Sequence, residues 1–174
     1  MVLAARLANA LSKLKVARQT IAVSETSSGG LLASSLLAQP GASKFFAGGV
    51  VAYTKAAKQV FLSLPPDGSR PTSTEPHARE LAKAVCMALQ ADWGIGETGV
   101  AGPTANARGV SPGVCAVAVV GPNGFVRSRM LFPDDGLSAA DAYGQPPKVP
   151  REEMMRKFAD EALVLLCEAV EQQQ

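Results

Sequence analysis

Hydrophobic residues along the first third of the chain alternate between helical and strand-like spacing. Leu3, Leu7, Leu11 and Leu14 recur every three or four residues, which indicates one apolar face of a helix. Compact apolar runs bounded by glycine, proline or polar residues are typical of short buried strands. The predicted elements are, in order, a helix over 2–17, a strand over 20–24, a helix over 31–38, a strand over 45–53 and a helix over 55–62.

The rest of the chain predicts a helix, three strands and a final helix. Thr74 can cap a helix to about Gln90, with Glu75 and Pro76 favourable in its first turn. Gly48-Gly49 inside the second strand predicts a bulge or a close backbone approach. The remaining predicted elements are a strand over 95–99, a hairpin of strands 114–120 and 125–132, and a helix over 151–171, with long loops over 100–112 and 133–150.

This order of elements predicts an α/β fold. Helices alternate with strands and then two strands adjoin, which favours a three-layer α/β/α sandwich with a mixed central sheet. At 174 residues, with no internal repeat and no linker, we expect residues 1–174 to form a single domain.

Composition narrows the classes of protein. The 47% of hydrophobic residues excludes a disordered chain, and no run approaches the roughly 20 apolar residues of a membrane helix. Arg6 and Lys13 interrupt the place where a signal peptide would need its apolar region. The net charge of +2 is scattered and aromatics are few, so we expect neither nucleic-acid nor membrane binding.

Histidine and cysteine are scarce. With His77 the single histidine, a zinc site that uses a pair of histidines from one chain is excluded. Cys86, Cys115 and Cys167 form no C-x-x-C pair, so we expect no metal site and a reducing, cytoplasmic location. Placed in the first turns of a predicted helix, His77 is more typical of a structural residue than of a catalytic one.

One candidate for chemistry is the segment 24–30, between a predicted strand and a predicted helix. Thr26, Ser27 and Ser28 could supply a nucleophile or bind phosphate oxygens. Gly29 and Gly30 expose backbone N–H groups at a helix N-terminus, where an anion is favoured. The alternative is a helix cap with a flexible turn, which would need only one hydroxyl.

A second candidate pairs Tyr53, at a strand end, with Lys58, one turn into the next helix. Both could face one crevice, and a desolvated lysine can act as a general base because burial disfavours its charge. The spacing by itself is more typical of a solvated surface lysine.

A third candidate is the small-residue loop 98–104, which allows a ligand to approach the backbone but is equally typical of an ordinary glycine-rich turn. The G-x-G-x-x-G pattern over 94–99 is not a dinucleotide fingerprint, since its glycines lie within a predicted strand and no helix follows. Arg151 and Arg156 could close over an anionic ligand, although both also suit a helix surface.

Taken together, these motifs resemble the CinA C-terminal-domain family, the nicotinamide mononucleotide deamidases. The match runs in register from about residue 20 to the last helix. The matching segments are Glu25-Thr26-Ser27-Ser28-Gly29-Gly30, Pro40-Gly41-Ala42-Ser43, Gly48 to Thr54 with Lys58, Thr74-Glu75-Pro76, and Thr98 to Pro103 with Gly113 before the hairpin.

The resemblance implies an amidohydrolase that converts nicotinamide mononucleotide to nicotinic acid mononucleotide and ammonia. It also implies the three-layer mixed-sheet fold, a homo-oligomer and no metal or organic cofactor. The family's larger N-terminal pyrophosphatase-like domain is absent from this sequence, so a stand-alone form is expected.

Two departures from the family pattern bear on the site. The family's nucleophilic serine position is Thr26, whose extra methyl group restricts attack, and the adjacent cysteine position is Ser27. An insertion over residues 134–148 precedes Arg151, the residue that takes the place of the family's arginine near the start of its last helix.

On this basis, the hydroxyl of Thr26, or else of Ser27, attacks the carboxamide, Lys58 takes its proton and Tyr53 relays or orients. The turn of Ser28, Gly29 and Gly30 would hold an oxyanion or the phosphate, and Thr98, Gly102 and Arg151 are substrate-contact candidates. Two other functions stay open: a catalytically impaired protein that binds a nucleotide or another phosphorylated ligand without turnover, and an enzyme acting on a different amide.

Overall fold

The computed structural model describes residues 2–65, 71–133 and 149–173. The predicted insertion 134–148 lies outside these residues. The helices are α1 (Val2–Ala17), α2 (Leu31–Leu37), α3 (Lys55–Leu62), α4 (Glu75–Ala88) and α5 (Arg151–Gln172). The strands are β1 (Ile21–Glu25), β2 (Phe46–Val51), β3 (Trp93–Gly99), β4 (Cys115–Val120) and β5 (Val126–Leu131).

Within the described residues, five strands form one mixed sheet in the order β2-β1-β3-β4-β5. Strand β1 pairs in parallel with both β2 and β3, whereas β4 runs antiparallel to β3 and to β5. Helices α1, α2 and α5 pack on one face and α4, with α3 beside it, on the other. The predicted three-layer α/β/α sandwich with a mixed sheet is therefore confirmed.

The two faces of the sheet carry side chains of different size. Ile21, Val23, Ile95, Val117 and Val119 face α1 and α5 and form the larger core with the apolar sides of those helices. The opposite face carries small residues where α4 lies close against the strands: Ala22, Gly94, Gly96, Ala116 and Ala118. Because successive residues of a strand point to opposite faces, this size difference follows from strict alternation along each strand.

Most predicted elements are confirmed, with shifts at their ends. Strand β3 begins at Trp93, two residues before the predicted start, and Tyr53 follows β2 instead of ending it. The predicted irregularity at Gly48-Gly49 is present: the β1–β2 pairing shifts by one residue before Gly48, and a Cβ on Gly49 would collide with Val23.

The cap predicted for α4 is wrong in detail. Thr74 occupies the N-cap position, but its side chain accepts no hydrogen bond from the N–H groups of the first turn. Its Oγ1 donates instead to the carbonyl of Pro71, 3.1 Å away. Helix α3, by contrast, has a side-chain cap: Thr54 Oγ1 accepts a hydrogen bond from the N–H of Ala57 at 3.1 Å. Within the described ranges, no helix combines the length and apolar composition needed to cross a bilayer.

Candidate active site

The carboxyl ends of the parallel strands β1, β2 and β3 meet at one edge of the sheet, where ligands of open α/β folds commonly bind. The segments after β1, β2 and β3, the segment before α4 and the start of α5 border a cleft of about 360 Å³ at this edge. Its lining comprises Thr26, Ser27, Tyr53, Lys58, Thr72, Ser73, Thr98, Gly99, Val100, Ala101, Gly102, Thr104, Asn106 and Arg151.

Two hydroxyl groups follow β1 and face this cleft. They belong to Thr26 and Ser27, which are only 6% and 3% exposed. Thr26 Oγ1 donates to the backbone carbonyl of Glu97 at 3.2 Å, and Ser27 Oγ donates to the Glu97 carboxylate. Both candidate nucleophiles are therefore held by the same residue of β3, one by its backbone and the other by its side chain.

Glu97 is a fully buried carboxylate that the sequence analysis did not single out. Its Oε2 accepts from the N–H groups of Thr26 and Ser28, both at 2.9 Å, and Cys115 Sγ lies 3.5 Å from Oε1. Burial, with the negative charge of Glu97 as the next cause, raises the pKa of the Cys115 thiol well above its usual range. The signal in the sequence was a single charged residue within an otherwise uncharged strand.

A second buried carboxylate, Glu25, ends β1 and caps the helix that follows. It accepts from the N–H groups of Gly30, Leu32 and Ala33 at distances of 2.8–3.1 Å. The Ser28 hydroxyl lies between the two carboxylates, 2.7 Å from Glu25 Oε2 and 2.8 Å from Glu97 Oε2, and can donate its one hydrogen to either.

These contacts change the role expected for the turn of Ser28, Gly29 and Gly30. The N–H groups of Ser28 and Gly30 donate to Glu97 and Glu25, and none of the three residues lines the cleft. The carboxylate of Glu25, the last residue of β1, thus occupies the N-terminus of α2, where an anionic ligand was expected to bind.

Lys58 and His77 form a contact that sequence spacing did not indicate. The half-buried Lys58 lies in the cleft, and its Nζ is 3.0 Å from Nε2 of His77. His77 Nδ1 in turn is 3.2 Å from Oε2 of Glu80, one turn further along α4. Burial lowers the pKa of Lys58, while the negative charge of Glu97 acts in the opposite direction. Lys58 is thus a cleft residue and not a solvated surface charge.

The mouth of the cleft is closed on one side by Arg151, the first residue of α5. Its guanidinium donates to the carbonyl of Gly102 and lies 3.4 Å from the hydroxyl of Tyr53. Tyr53 is 60% exposed, so it stands at the rim. The other arginine considered in the sequence, Arg156, pairs with Glu152 on the surface of the same helix at 2.6 Å.

Thr98 lies deeper in the same cleft. It is 2% exposed, and its Oγ1 accepts from the N–H of Ser73 at 3.3 Å, which ties the segment before α4 to the end of β3. The structure therefore brings seven of the ten sequence-predicted residues to one cleft: Thr26, Ser27, Tyr53, Lys58, Thr98, Gly102 and Arg151.

Relatives of known sequence match most of this chain. A CinA-like protein of Anaeromyxobacter sp. (strain Fw109-5) is 34% identical over 158 residues, which cover 90% of this chain and 35% of that protein. A CinA-like protein of Prochlorococcus marinus (strain MIT 9313) is 36% identical over 124 residues, which cover 70% of this chain and 29% of that protein. The chain thus spans about a third of the length of these relatives.

Solved structures share the fold. The CinA superfamily protein of Klebsiella pneumoniae 700603 superposes with a TM-score of 0.79 at 22% identity, covering 98% of this chain and 96% of that one. The CinA superfamily protein of Escherichia coli gives a TM-score of 0.72 at 25% identity, covering 92% and 86%. Residues 4–143 match the model of the CinA C-terminal domain, and this chain belongs to that family.

Proposed function

We propose that this chain hydrolyses the carboxamide of nicotinamide mononucleotide, giving nicotinic acid mononucleotide and ammonia. The observation that carries the proposal is the shared cleft: two hydroxyls after β1 and a half-buried lysine with a lowered pKa line the same space. A hydroxyl nucleophile that shares a cleft with an amine whose charged form is disfavoured by burial is an arrangement suited to acyl transfer. Family membership supports the choice of an amide substrate.

In the proposed reaction the neutral amine of Lys58 accepts the hydroxyl proton as the oxygen attacks the carboxamide carbon. The C–N bond then breaks, and the lysine returns that proton to the departing nitrogen, which leaves as ammonia. Water attacks the resulting ester, giving its proton to Lys58, and the hydroxyl is restored when the acid departs. Each proton taken up by the amine is given back within one turnover.

Either hydroxyl satisfies this scheme. Thr26 occupies the position of the family's serine, but its methyl group restricts χ1 and its Oγ1 is held by a backbone carbonyl. Ser27 has no such methyl group, and its Oγ is held by the Glu97 carboxylate. A carboxylate is the stronger acceptor, so it orients and polarises the Ser27 hydroxyl more strongly.

Arg151 is proposed to bind the phosphate of the substrate. It stands at the mouth of the cleft with Tyr53 and Gly102, and a guanidinium suits a phosphate because it donates two parallel hydrogen bonds. Thr98 and the backbone of Gly102 would contact the pyridine mononucleotide deeper in. A volume of about 360 Å³ lies within the range of ligand pockets in proteins.

The direct test is release of ammonia from nicotinamide mononucleotide by the purified protein and by Lys58→Ala. Because general-base catalysis contributes roughly 10² to 10⁴ in rate, we expect the variant to lose at least about a hundredfold. Lys55→Ala is the matched control, since Lys55 lies one turn earlier on α3 and is exposed. Full activity of Lys58→Ala, with an unchanged circular dichroism spectrum, would exclude Lys58 as the base.

The same assay identifies the nucleophile. If Thr26 attacks, Thr26→Ser raises the rate by removing the methyl group and Thr26→Val abolishes it. If Ser27 attacks, Ser27→Ala abolishes turnover and Thr26→Val retains part of it.

A second candidate function is binding of a nucleotide or another phosphorylated ligand without turnover. The observation that favours it is the engagement of both candidate hydroxyls by Glu97, together with threonine in the family's serine position. Calorimetric binding of nicotinamide mononucleotide with no ammonia release would support it, and turnover that Thr26→Val or Ser27→Ala removes would end it. A panel of other carboxamides in the ammonia assay separates both from an altered substrate range.

Two properties of the whole protein belong to the same proposal. A cytoplasmic location fits Cys86, Cys115 and Cys167, all of which are described and are free thiols. A homo-oligomer fits an exposed apolar groove of about 520 Å³ beside the outer strand β2, lined by Val51, Phe61 and Leu89 among others.

A further inference from the structure

Lys58 stands between two cavities. One is the cleft described above; the other, of about 280 Å³, lies behind the lysine and is bordered by Lys55, His77, Glu80 and Arg108. On this second side the amine meets His77 Nε2 at 3.0 Å, and the imidazole side chain is only 10% exposed. The amine is therefore in direct contact with a second titratable base that does not line the cleft.

Glu80 determines which nitrogen of His77 carries the hydrogen in the contacts that link Lys58, His77 and Glu80. An ionised carboxylate only accepts, so His77 Nδ1 carries the hydrogen in the 3.2 Å contact with Glu80. In the neutral imidazole this leaves the Nε2 lone pair directed at the amine of Lys58. His77 and Glu80 are three residues apart on α4 and share one helix face, so the helix itself fixes their alignment.

We propose that His77, supported by Glu80, shares a proton with Lys58 and is the positioning residue that leaves the lysine amine neutral toward the cleft. The proton moves from the Lys58 ammonium to His77 Nε2, and the resulting imidazolium is stabilised by the Glu80 carboxylate. One proton is thereby held over two bases, with none gained or lost by the pair. The consequence for catalysis rests on the proposed function of Lys58 as general base.

The surrounding charges act on this pair from several elements. Lys55 on α3, Arg108 in the loop after β3, and Arg151 at the start of α5 disfavour a second positive charge, and Glu97 on β3 favours one. Burial opposes the ammonium form and lowers the pKa of Lys58. Tyr53 stands at the rim of the cleft and Glu80 faces the imidazole. Among the described residues, the cations that border the two cavities oppose a second proton on the pair, while Glu80 contacts His77 and the charge of Glu97 acts on Lys58.

His77 is the single histidine of the sequence, so its proton NMR signals report on this pair without assignment ambiguity. When two bases share a proton, the pair loses its two protons in two separate steps as the pH rises, and each step changes the protonation of both groups. We expect the His77 titration to show two steps in the wild-type protein and one step in Lys58→Met. A single-step curve in the wild-type protein would overturn the proposal.

Lys55→Met is the matched control for the change of charge. Lys55 lies on the same helix and borders the same cavity, and it forms no hydrogen bond or ion pair with any residue the structure describes. We expect its removal to shift both steps slightly and to keep both. A change to one step in this variant as well would mean that nearby charge, and not the contact with Lys58, produces the second step.

Turnover gives an independent measurement. In His77→Gln the amine has no base to which it can pass a proton, so the acid limb of the kcat/KM profile moves to higher pH. We expect about a tenfold loss in kcat at pH 7, recovery at high pH and an unchanged KM. A loss that is equal at every pH would indicate a structural effect only and would contradict the proposal.

The His77 titration and the turnover assay test the shared proton and the proposed function separately. Absence of ammonia release in the wild-type protein contradicts the proposed function, while a two-step His77 titration still establishes the shared proton. A one-step titration in an active enzyme leaves the proposed function intact and removes the role of His77.

Discussion

Glu97 holds the turn that follows β1 in place. A buried carboxylate is strongly destabilising unless its oxygens are hydrogen-bonded, and here two backbone N–H groups and the hydroxyls of Ser27 and Ser28 supply those bonds. The arrangement fixes both candidate nucleophiles relative to β3. The negative charge of Glu97 also raises the pKa of Lys58, against the lowering that burial causes, and so favours the charged form of the lysine.

We expect Glu97→Gln to lower the free energy of unfolding by about 2 kcal/mol, because a neutral amide oxygen is a weaker acceptor than a carboxylate for the buried N–H groups of Thr26 and Ser28. The NH₂ group would face Ser27 Oγ, which then has to accept where it now donates. Urea unfolding followed by circular dichroism measures this. Glu168→Gln serves as the control, since its ion pairs with Arg127 and Arg129 are partly exposed and are worth about 1 kcal/mol or less. Equal unfolding midpoints for the two variants would contradict the role given to Glu97.

Helix α4 carries His77 and Glu80, and its distance from the sheet decides whether they reach Lys58. That distance is set by the small residues of β3: a Cβ on Gly94 would meet the carbonyl of Ala82, and one on Gly96 would meet the carbonyl of Ala78. These glycines were also part of the rejected dinucleotide pattern, and helix packing is the reason that the structure gives for them.

Gly96→Ala is expected to lower the free energy of unfolding by about 3 kcal/mol, since backbone atoms of α4 must move to admit the methyl group. Thermal unfolding gives the measurement. Gly124→Ala is the matched control: a Cβ there meets nothing within 4 Å, and its cost is about 1 kcal/mol for the positive φ of 74°. A Gly96→Ala variant as stable as the Gly124→Ala variant would show that α4 is not closely packed at this point.

At the scale of the whole molecule, one end of the sheet borders an exposed apolar groove. Strand β2 lies at one end of the sheet, and the groove beside it exposes Phe61 at 58%, Val51 at 45% and Leu89 at 42%. An outer strand with apolar neighbours offers both backbone hydrogen-bonding groups and apolar area to a second copy. The proposed homo-oligomer is therefore expected to form through this surface.

Light scattering after size exclusion tests this expectation. We expect the wild-type protein to have a mass that is a multiple of its 18.0 kDa chain and Phe61→Glu to have the mass of one chain, since a buried unpaired charge disrupts an apolar interface. Val16→Glu, on α1 at the opposite face and 84% exposed, should leave the mass unchanged. A wild-type mass of 18.0 kDa at micromolar concentration would exclude the oligomer.

Local patterns in the sequence determined the secondary structure and the three-layer sandwich, and they indicated candidate segments for a site. The choice of site residues among those segments came from the resemblance to the family. Periodicity indicates which side of an element is apolar, and the order of helices and strands restricts how they can pack, so these features depend on neighbouring residues alone. The position of Tyr53 and Lys58 on either side of the β2–α3 junction followed from the same reasoning.

Only the tertiary structure decided the electrostatics of the site. Glu97 meets the turn after β1 because β1 and β3 are adjacent in the sheet, and His77 meets Lys58 because α3 and α4 pack together. Neither contact leaves a periodic signal, since partners so far apart in sequence are brought together by packing. The same packing removes water from Lys58, and that removal, which no residue type specifies by itself, is what lowers its pKa.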